Sequence, residues 1–213
     1  MSRQGAPVAA AILAAGESRR MGRPKPFLPL GDSSFLETIL SRLGEAGLDH
    51  CIVIANPEQA ELYANRELAG ARVIYNPAVQ LGQFESMRLA VRHAPPHCQW
   101  LLLTPVDIPA ISAASYRVVA EACQSAPADA IAVAAFRGEW GHPLALPRGL
   151  FRTFLDWDGP MGARGFLERH ASRVSPVETG DRAILRDADT PEEYDRLVRN
   201  FPTPCLPPET DLS

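Results

Sequence analysis

Lysine is almost missing from this chain. Lys25 is the only one among 21 lysines and arginines, and 25 aspartates and glutamates carry the net charge to −4. That balance lacks the basic surface that sequence-independent nucleic-acid binding requires. Cysteine is scarce too. Cys51, Cys98, Cys123 and Cys205 show no C-x-x-C spacing, which disfavours a zinc site and a disulfide framework and leaves buried, hydrophobe-like thiols. No apolar run reaches the roughly 18 residues of a membrane span. Val8–Ala15 is short, has only Arg3 before it among cations, and reads as a buried strand rather than a leader. A reduced, cytoplasmic chain with no membrane or nucleic-acid partner is expected. Two nucleotide motifs are absent as well. No G-x-G-x-x-G can be laid on Gly16 and Gly22, and no G-K-[ST] occurs, so the dinucleotide fingerprint and the Walker A loop are both excluded.

What is present suits a packed core. Of 213 residues, 46% are hydrophobic, enough for one domain without staples. Short apolar runs alternate with segments of helical period. Val8–Leu13, Cys51–Ala55, Arg72–Tyr75, Trp100–Thr104 and Ala130–Phe136 read as strands. Between them, Ser34 and Glu37 form a capping box before Leu36, Ile39, Leu40 and Leu43. Further helices are expected over Glu58–Leu68, over Phe84–His93 and after Ser112. This order predicts an α/β fold: a Rossmann-like, doubly wound, mostly parallel sheet with helices on both faces. Beyond Gly138 the reading is strand at Leu144–Leu146, Val174–Val177 and Ala183–Leu185. Helical pieces follow at Leu150–Leu155 and Arg164–Arg169, with a last helix capped by Thr190. A single domain is expected over residues 1–201, with a proline-rich, fraying tail over 202–213.

The loop leaving the first strand, Leu13–Lys25, reads LAAGESRRMGRPK. It offers backbone N–H groups, two glycines for tight bending, and Arg19, Arg20, Arg23 and Lys25. Such a set can cradle a triphosphate at the carboxyl end of a parallel sheet; a solvated basic loop is the plainer alternative. A compact ammonium that survives amid arginines is a mild sign of a function for Lys25. Asp107 ends an apolar strand between Pro105 and Pro109 and suits a hard Mg²⁺ ion, which takes one or two carboxylates and fills its octahedron with phosphate and water. The second carboxylate would be Asp187 or Asp189. Asp189 stands next to the N-cap Thr190, where a role at the helix dipole is the simpler account.

Leu13–Lys25 resembles the signature L-A-[AG]-G-x-S-x-R-M-G-x-x-K of the molybdopterin nucleotidyltransferases, with every fixed position in register. NPAVQLGQFESM is similar to that family's N-P-x₄-G-x₃-S-[LM], TPVDIP to its D-x-P turn, and RDADTPEEY to its D-x-D-T-P-E segment. FRGEWGHPLAL and MGAR resemble the G-H-P and G-A-R pieces of its cytidylyltransferase branch. The resemblance spans about residues 8–198. It implies that Lys25 and Arg20 are catalytic, clamping charge as a pterin phosphate attacks the α-phosphorus. It implies a nucleotide site of Leu13, Ala14, Ala15, Gly16, Lys25, Asn76, Gly82 and Ser86. It places His142 and Arg164 with the acceptor, and Asp187 with Asp107 on Mg²⁺. Ala14-Ala15 resembles the cytidylyl type, where guanylyl members carry Ala-Gly. The implied reaction joins CMP from CTP to the molybdenum cofactor, for delivery to a molybdoenzyme. Alternatives are a GTP-dependent or sugar- or alcohol-phosphate nucleotidyltransferase, and a non-catalytic cofactor chaperone.

Overall fold

The computed structural model describes residues 7–64 and 66–201. Seven strands form one sheet: β1 Val8–Ala14, β2 Cys51–Ala55, β3 Arg72–Tyr75, β4 Trp100–Pro105, β5 Ile131–Phe136, β6 Glu139–Pro147 and β7 Val174–Glu178. Their order is β3-β2-β1-β4-β6-β5-β7. All neighbours are parallel except β6, which runs antiparallel between β4 and β5. The helices are α1 Phe35–Glu45, α2 Ala60–Ala64, α3 Gln83–Arg92, α4 Ala113–Ser125, α5 Phe151–Leu155, α6 Gly162–Arg169 and α7 Pro191–Asn200.

Alternation along β1 supplies both layers. Ala10, Ile12 and Ala14 pack with Leu36, Ile39 and Leu43 of α1 and Tyr116 and Val119 of α4. Ala9, Ala11 and Leu13 face the other way, onto Met87 and Val91 of α3, Phe154 of α5 and Phe166 of α6. A strand buried on both sides has no polar face to show, which is why it reads as one apolar run. The expected doubly wound sheet is therefore the observed one. Among the described residues no helix is long and apolar enough to cross a membrane.

Both ends of the core region are capped as the spacing predicts. Ser34 accepts from the Glu37 N–H while Glu37 reaches back, and Thr190 and Glu193 do the same for α7. Three expectations need correction. The helix after Pro57 is a 3₁₀ turn plus α2, which ends at Ala64, and positive φ at Ala69 and Gly70 then turns the chain toward β3. The strand expected at Leu144–Leu146 is the second half of the longer β6. Ala183–Leu185 is no strand but part of a 3₁₀ turn, Arg182–Leu185, nucleated where the Asp181 carboxylate accepts from the Ala183 N–H. The expected tail over 202–213, with Cys205, lies outside the described residues.

Candidate functional site

The glycine loop leaves β1 at the carboxyl end of the sheet and folds around Ser18. That residue takes a positive φ of 54°. Its carbonyl accepts from the N–H groups of Met21 and Gly22, and its Oγ accepts from the N–H of Lys25 at 3.1 Å. Met21 is buried and anchors the loop to the core. These bonds drive the Lys25 side chain inward, where it is only 11% exposed.

Its ammonium meets two carboxylates. Lys25 Nζ donates to Asp107 Oδ2 at 3.2 Å and to Asp189 Oδ1. Arg20 pairs with the other oxygen of Asp189. Asp107 is placed by the turn after β4. The Val106 N–H bonds the Leu13 carbonyl, and the Ala188 N–H bonds the Asp107 carbonyl at 2.8 Å. That last bond brings the 186–189 segment alongside the strand ends. Burial opposes ionisation of Asp189, but hydrogen bonding and charge from Lys25, joined by Arg20, outweigh it and hold its carboxyl below the usual range.

The loop, Lys25, Asp107 and Asp189 border a cavity of about 430 Å³. Leu13, Ala14, Ala15, Gly16, Arg20, Gly82 and Ser86 also line it, so most of the expected nucleotide residues meet here. Asn76 does not line it. It is buried, donates to Ser86 Oγ at 3.0 Å and accepts from the Ala78 N–H, so it supports Ser86 from behind. Asn56 is likewise buried, its side chain bonding the Glu58 N–H.

The two candidates for the second carboxylate are placed differently: Asp189 meets Lys25, and Asp187 does not line the glycine-loop cavity. Asp187 lines a different cavity, of about 600 Å³, beside α7. Burial, then the charges of Asp189, Asp107 and Glu193, raise its carboxyl above the ordinary value. The N–H groups at the start of α7 are bonded by another carboxylate. Glu193 accepts from the N–H groups of both Asp189 and Thr190, which leaves the Asp189 carboxylate free to turn toward Lys25.

Two carboxylates converging on one ammonium are also within reach of one cation. A hard divalent ion that completes its shell with phosphate and water asks for no more than that, so the donor set fits. Among the described residues no cluster of three or more His, Cys, Asp or Glu forms a self-sufficient metal cage.

His142 and Arg164 lie in a second cavity, of about 880 Å³, between β6, α3 and α6. Gln83, the first residue of α3, lines both this cavity and the glycine-loop cavity, so the two adjoin. Burial lowers the His142 ring below the usual histidine value, against the charge of Asp107, and its Nδ1 is buried with no partner. Arg164 is exposed and pairs with Glu168 at 3.0 Å. Gln83 escaped the sequence reading, because nothing local marks a residue shared by two walls.

Residues 10–174 match the model of the MobA-like NTP transferase domain. The chain belongs to this family. A relative over nearly its full length is the purine catabolism protein PucB of Bacillus subtilis, 31% identical over 202 residues, which cover 88% of this chain and 94% of PucB. A molybdenum cofactor guanylyltransferase of Rhizobium meliloti is 32% identical over 195 residues, covering 86% and 87%. The crystal structure of Rv0371c from Mycobacterium tuberculosis superposes with a TM-score of 0.80 at 25% identity, over 93% of this chain and 100% of that one. A nucleotidyl transferase from Methanothermobacter, Mth528, superposes at 0.75 with 27% identity, over 91% and 97%. This MobA-like protein is a nucleotidyltransferase.

Proposed function

We propose that the enzyme transfers CMP from CTP to the phosphate of the molybdenum cofactor and releases pyrophosphate, with Mg²⁺ as the metal. The observation that carries this reading is the Lys25 ammonium between Asp107 and Asp189, in a cavity walled by the glycine loop. When bound, the ion would be held by Asp107 and Asp189 and would offset phosphate charge. The loop N–H groups and Arg20 receive the β- and γ-phosphates. An oxygen of the acceptor phosphate attacks the α-phosphorus. The bond from that phosphorus to the β-phosphate bridging oxygen breaks, and pyrophosphate leaves with the electron pair. Lys25 opposes the negative charge that spreads over the α-phosphoryl oxygens, so no nucleophilic side chain is needed.

The cavity bordered by His142 and Arg164 takes the acceptor in this reading, and the one under Ala15 takes the base. Ala15 is buried at the cavity wall, and its methyl narrows the room for a purine. A second reading, GTP as donor, is favoured by the relatives named molybdenum cofactor guanylyltransferase. Incubation with each of the four nucleoside triphosphates, Mg²⁺ and molybdenum cofactor tests both, with pyrophosphate and the dinucleotide product as readouts. Product formed with CTP at the highest kcat/KM is expected. Better use of GTP overturns the cytidylyl assignment, and no product with any nucleotide overturns the acceptor.

A further inference from the structure

The largest of the cavities described has a feature that neither phosphate chemistry nor core packing explains. Trp140, the second residue of β6, stands 45% exposed at its edge, and Met161 is 58% exposed on the α6 side. Exposing so much of an indole to water forgoes apolar burial, and exposed apolar side chains gathered at the rim of a cavity mark a binding surface.

Trp140 is nonetheless held firmly. It faces Ala135 in the β5–β6 ladder. The turn that precedes it, with Arg137 and Gly138 both at positive φ, is pinned by one carboxylate. Glu178 accepts from the Arg137 N–H at 3.0 Å and from the Gly138 N–H at 2.8 Å. The ring therefore projects from a backbone that is already ordered, so little entropy is lost when a second ring stacks on it. Phe84, Met87, Leu144 and Leu167 give the cavity an apolar wall. The shared residue Gln83 sets this space directly against the triphosphate cavity.

We infer that Trp140 is a specificity residue that stacks on a flat heteroaromatic ring of the acceptor, selecting phosphates that carry a heteroaromatic ring over sugar and alcohol phosphates. This rests on the proposed transfer to a pterin-bearing acceptor and adds the side chain that would recognise it. A sugar ring, puckered and hydroxylated, gains little from an indole face, whereas a pterin, even when reduced, presents a planar pyrimidinone ring.

The test uses Trp140→Ala and Trp140→Phe in the full chain. The side chain is half exposed, so both variants are expected to unfold near the wild-type temperature. In steady-state assays with CTP, Mg²⁺ and molybdenum cofactor, Trp140→Ala should raise the acceptor KM by about ten-fold, in line with the loss of one base–aromatic stack. Trp140→Phe should recover most of that loss, and the KM for CTP should not move in either variant. An equal rise in both KM values, or no rise, overturns the inference. A second readout needs no turnover: pterin-6-carboxylate should quench wild-type tryptophan emission, ribose 5-phosphate should not, and Trp140→Ala should abolish the quenching. Quenching lost in the variant, with no CTP-dependent product from the wild type, sinks the proposed reaction but keeps the stacking residue. Product formed at an unchanged acceptor KM by Trp140→Ala sinks the stacking residue but keeps the reaction. Wild type that neither quenches nor turns over sinks both.

Discussion

Lys25 is held by its own loop and shared by two carboxylates, so its removal has two separable effects. In the proposed reaction Lys25→Ala takes away the ammonium that opposes phosphoryl charge, and turnover should fall by about 10²–10³, the scale of one lost transition-state donor. It also leaves Asp107 without its cation and Asp189 with Arg20 alone, which lowers stability at neutral pH but spares the core, since the side chain belongs to a loop. Pyrophosphate release alongside thermal unfolding separates the two; a folded variant with undiminished release removes Lys25 from the chemistry. The neighbouring carboxylates make a sharper pair. Asp189→Asn should raise the metal concentration needed for half-maximal activity, whereas Asp187→Asn should leave it nearly unchanged, because only Asp189 shares a cation with Asp107. A reversed pattern in metal titrations returns the role to Asp187. Lys25 and Asp107 as candidates were legible in the sequence, since a lone lysine and a strand-ending carboxylate announce themselves by type and position, and the fold brings the two together. The choice between Asp187 and Asp189 was not. It depends on Glu193 filling the cap and on the Ala188 N–H bonding across to Asp107, and neither contact leaves a local mark.

At the scale of elements, Asp181 ties together two pieces that pattern alone left apart. Its carboxylate accepts from the Ser112 N–H at 2.9 Å and from Ser115 Oγ at 2.8 Å at the start of α4, and from the Ala183 N–H at 2.8 Å in the 3₁₀ turn. Burial works against its ionisation, but these donors prevail and its carboxyl lies below the ordinary value. A depressed carboxylate stabilises the fold fully above its unfolded value, near roughly 3.9, and loses that contribution as the pH falls through the lower folded value. Thermal unfolding of Asp181→Asn should therefore decline less steeply with acid than wild type, and at neutral pH it should cost about 1.5–3 kcal/mol, as for a lost charged hydrogen-bond acceptor. Parallel acid profiles for the two proteins would remove Asp181 as the tie. The same residue shows why Ala183–Leu185 was misread. Three apolar residues satisfy a strand pattern and a turn pattern equally, and the carboxylate that decides between them, Asp181, is itself held by α4, distant in sequence. Long periodic segments such as α1 and α4 were legible because the capping residues and the buried stripe agree within one stretch of chain, and α7 because its capping box stands beside a partly buried apolar face.

At the scale of the molecule, the sheet brings the glycine loop, the turn after β4 and the segment before α7 to one end, and two cavities that share Gln83 lie side by side there. The alternation of elements made the fold legible. The adjacency of the cavities was not, because it arises where β6 runs antiparallel between β4 and β5, which no periodicity encodes. Such a donor site should couple nucleotide binding to the stability of the whole domain, since α1, α3 and α4 all pack on the strands that carry it. A ligand bound only by the folded state at about 100 times its Kd adds about 2.7 kcal/mol. For a domain of this length that is a rise of about 5–10 °C in Tm. With Mg²⁺ present, CTP should produce a larger shift than GTP at equal concentration, because the Ala15 methyl stands at the cavity wall. Ala15→Gly should narrow that gap rather than invert it, as one methyl is worth about 1–3 kcal/mol of discrimination. The glycine also loosens the unfolded chain by up to about 1 kcal/mol, so the comparison is the difference between the two nucleotides within each protein, not the absolute Tm. Equal shifts by CTP and GTP in wild type, or a gap that Ala15→Gly leaves untouched, would move the basis of nucleotide choice away from Ala15.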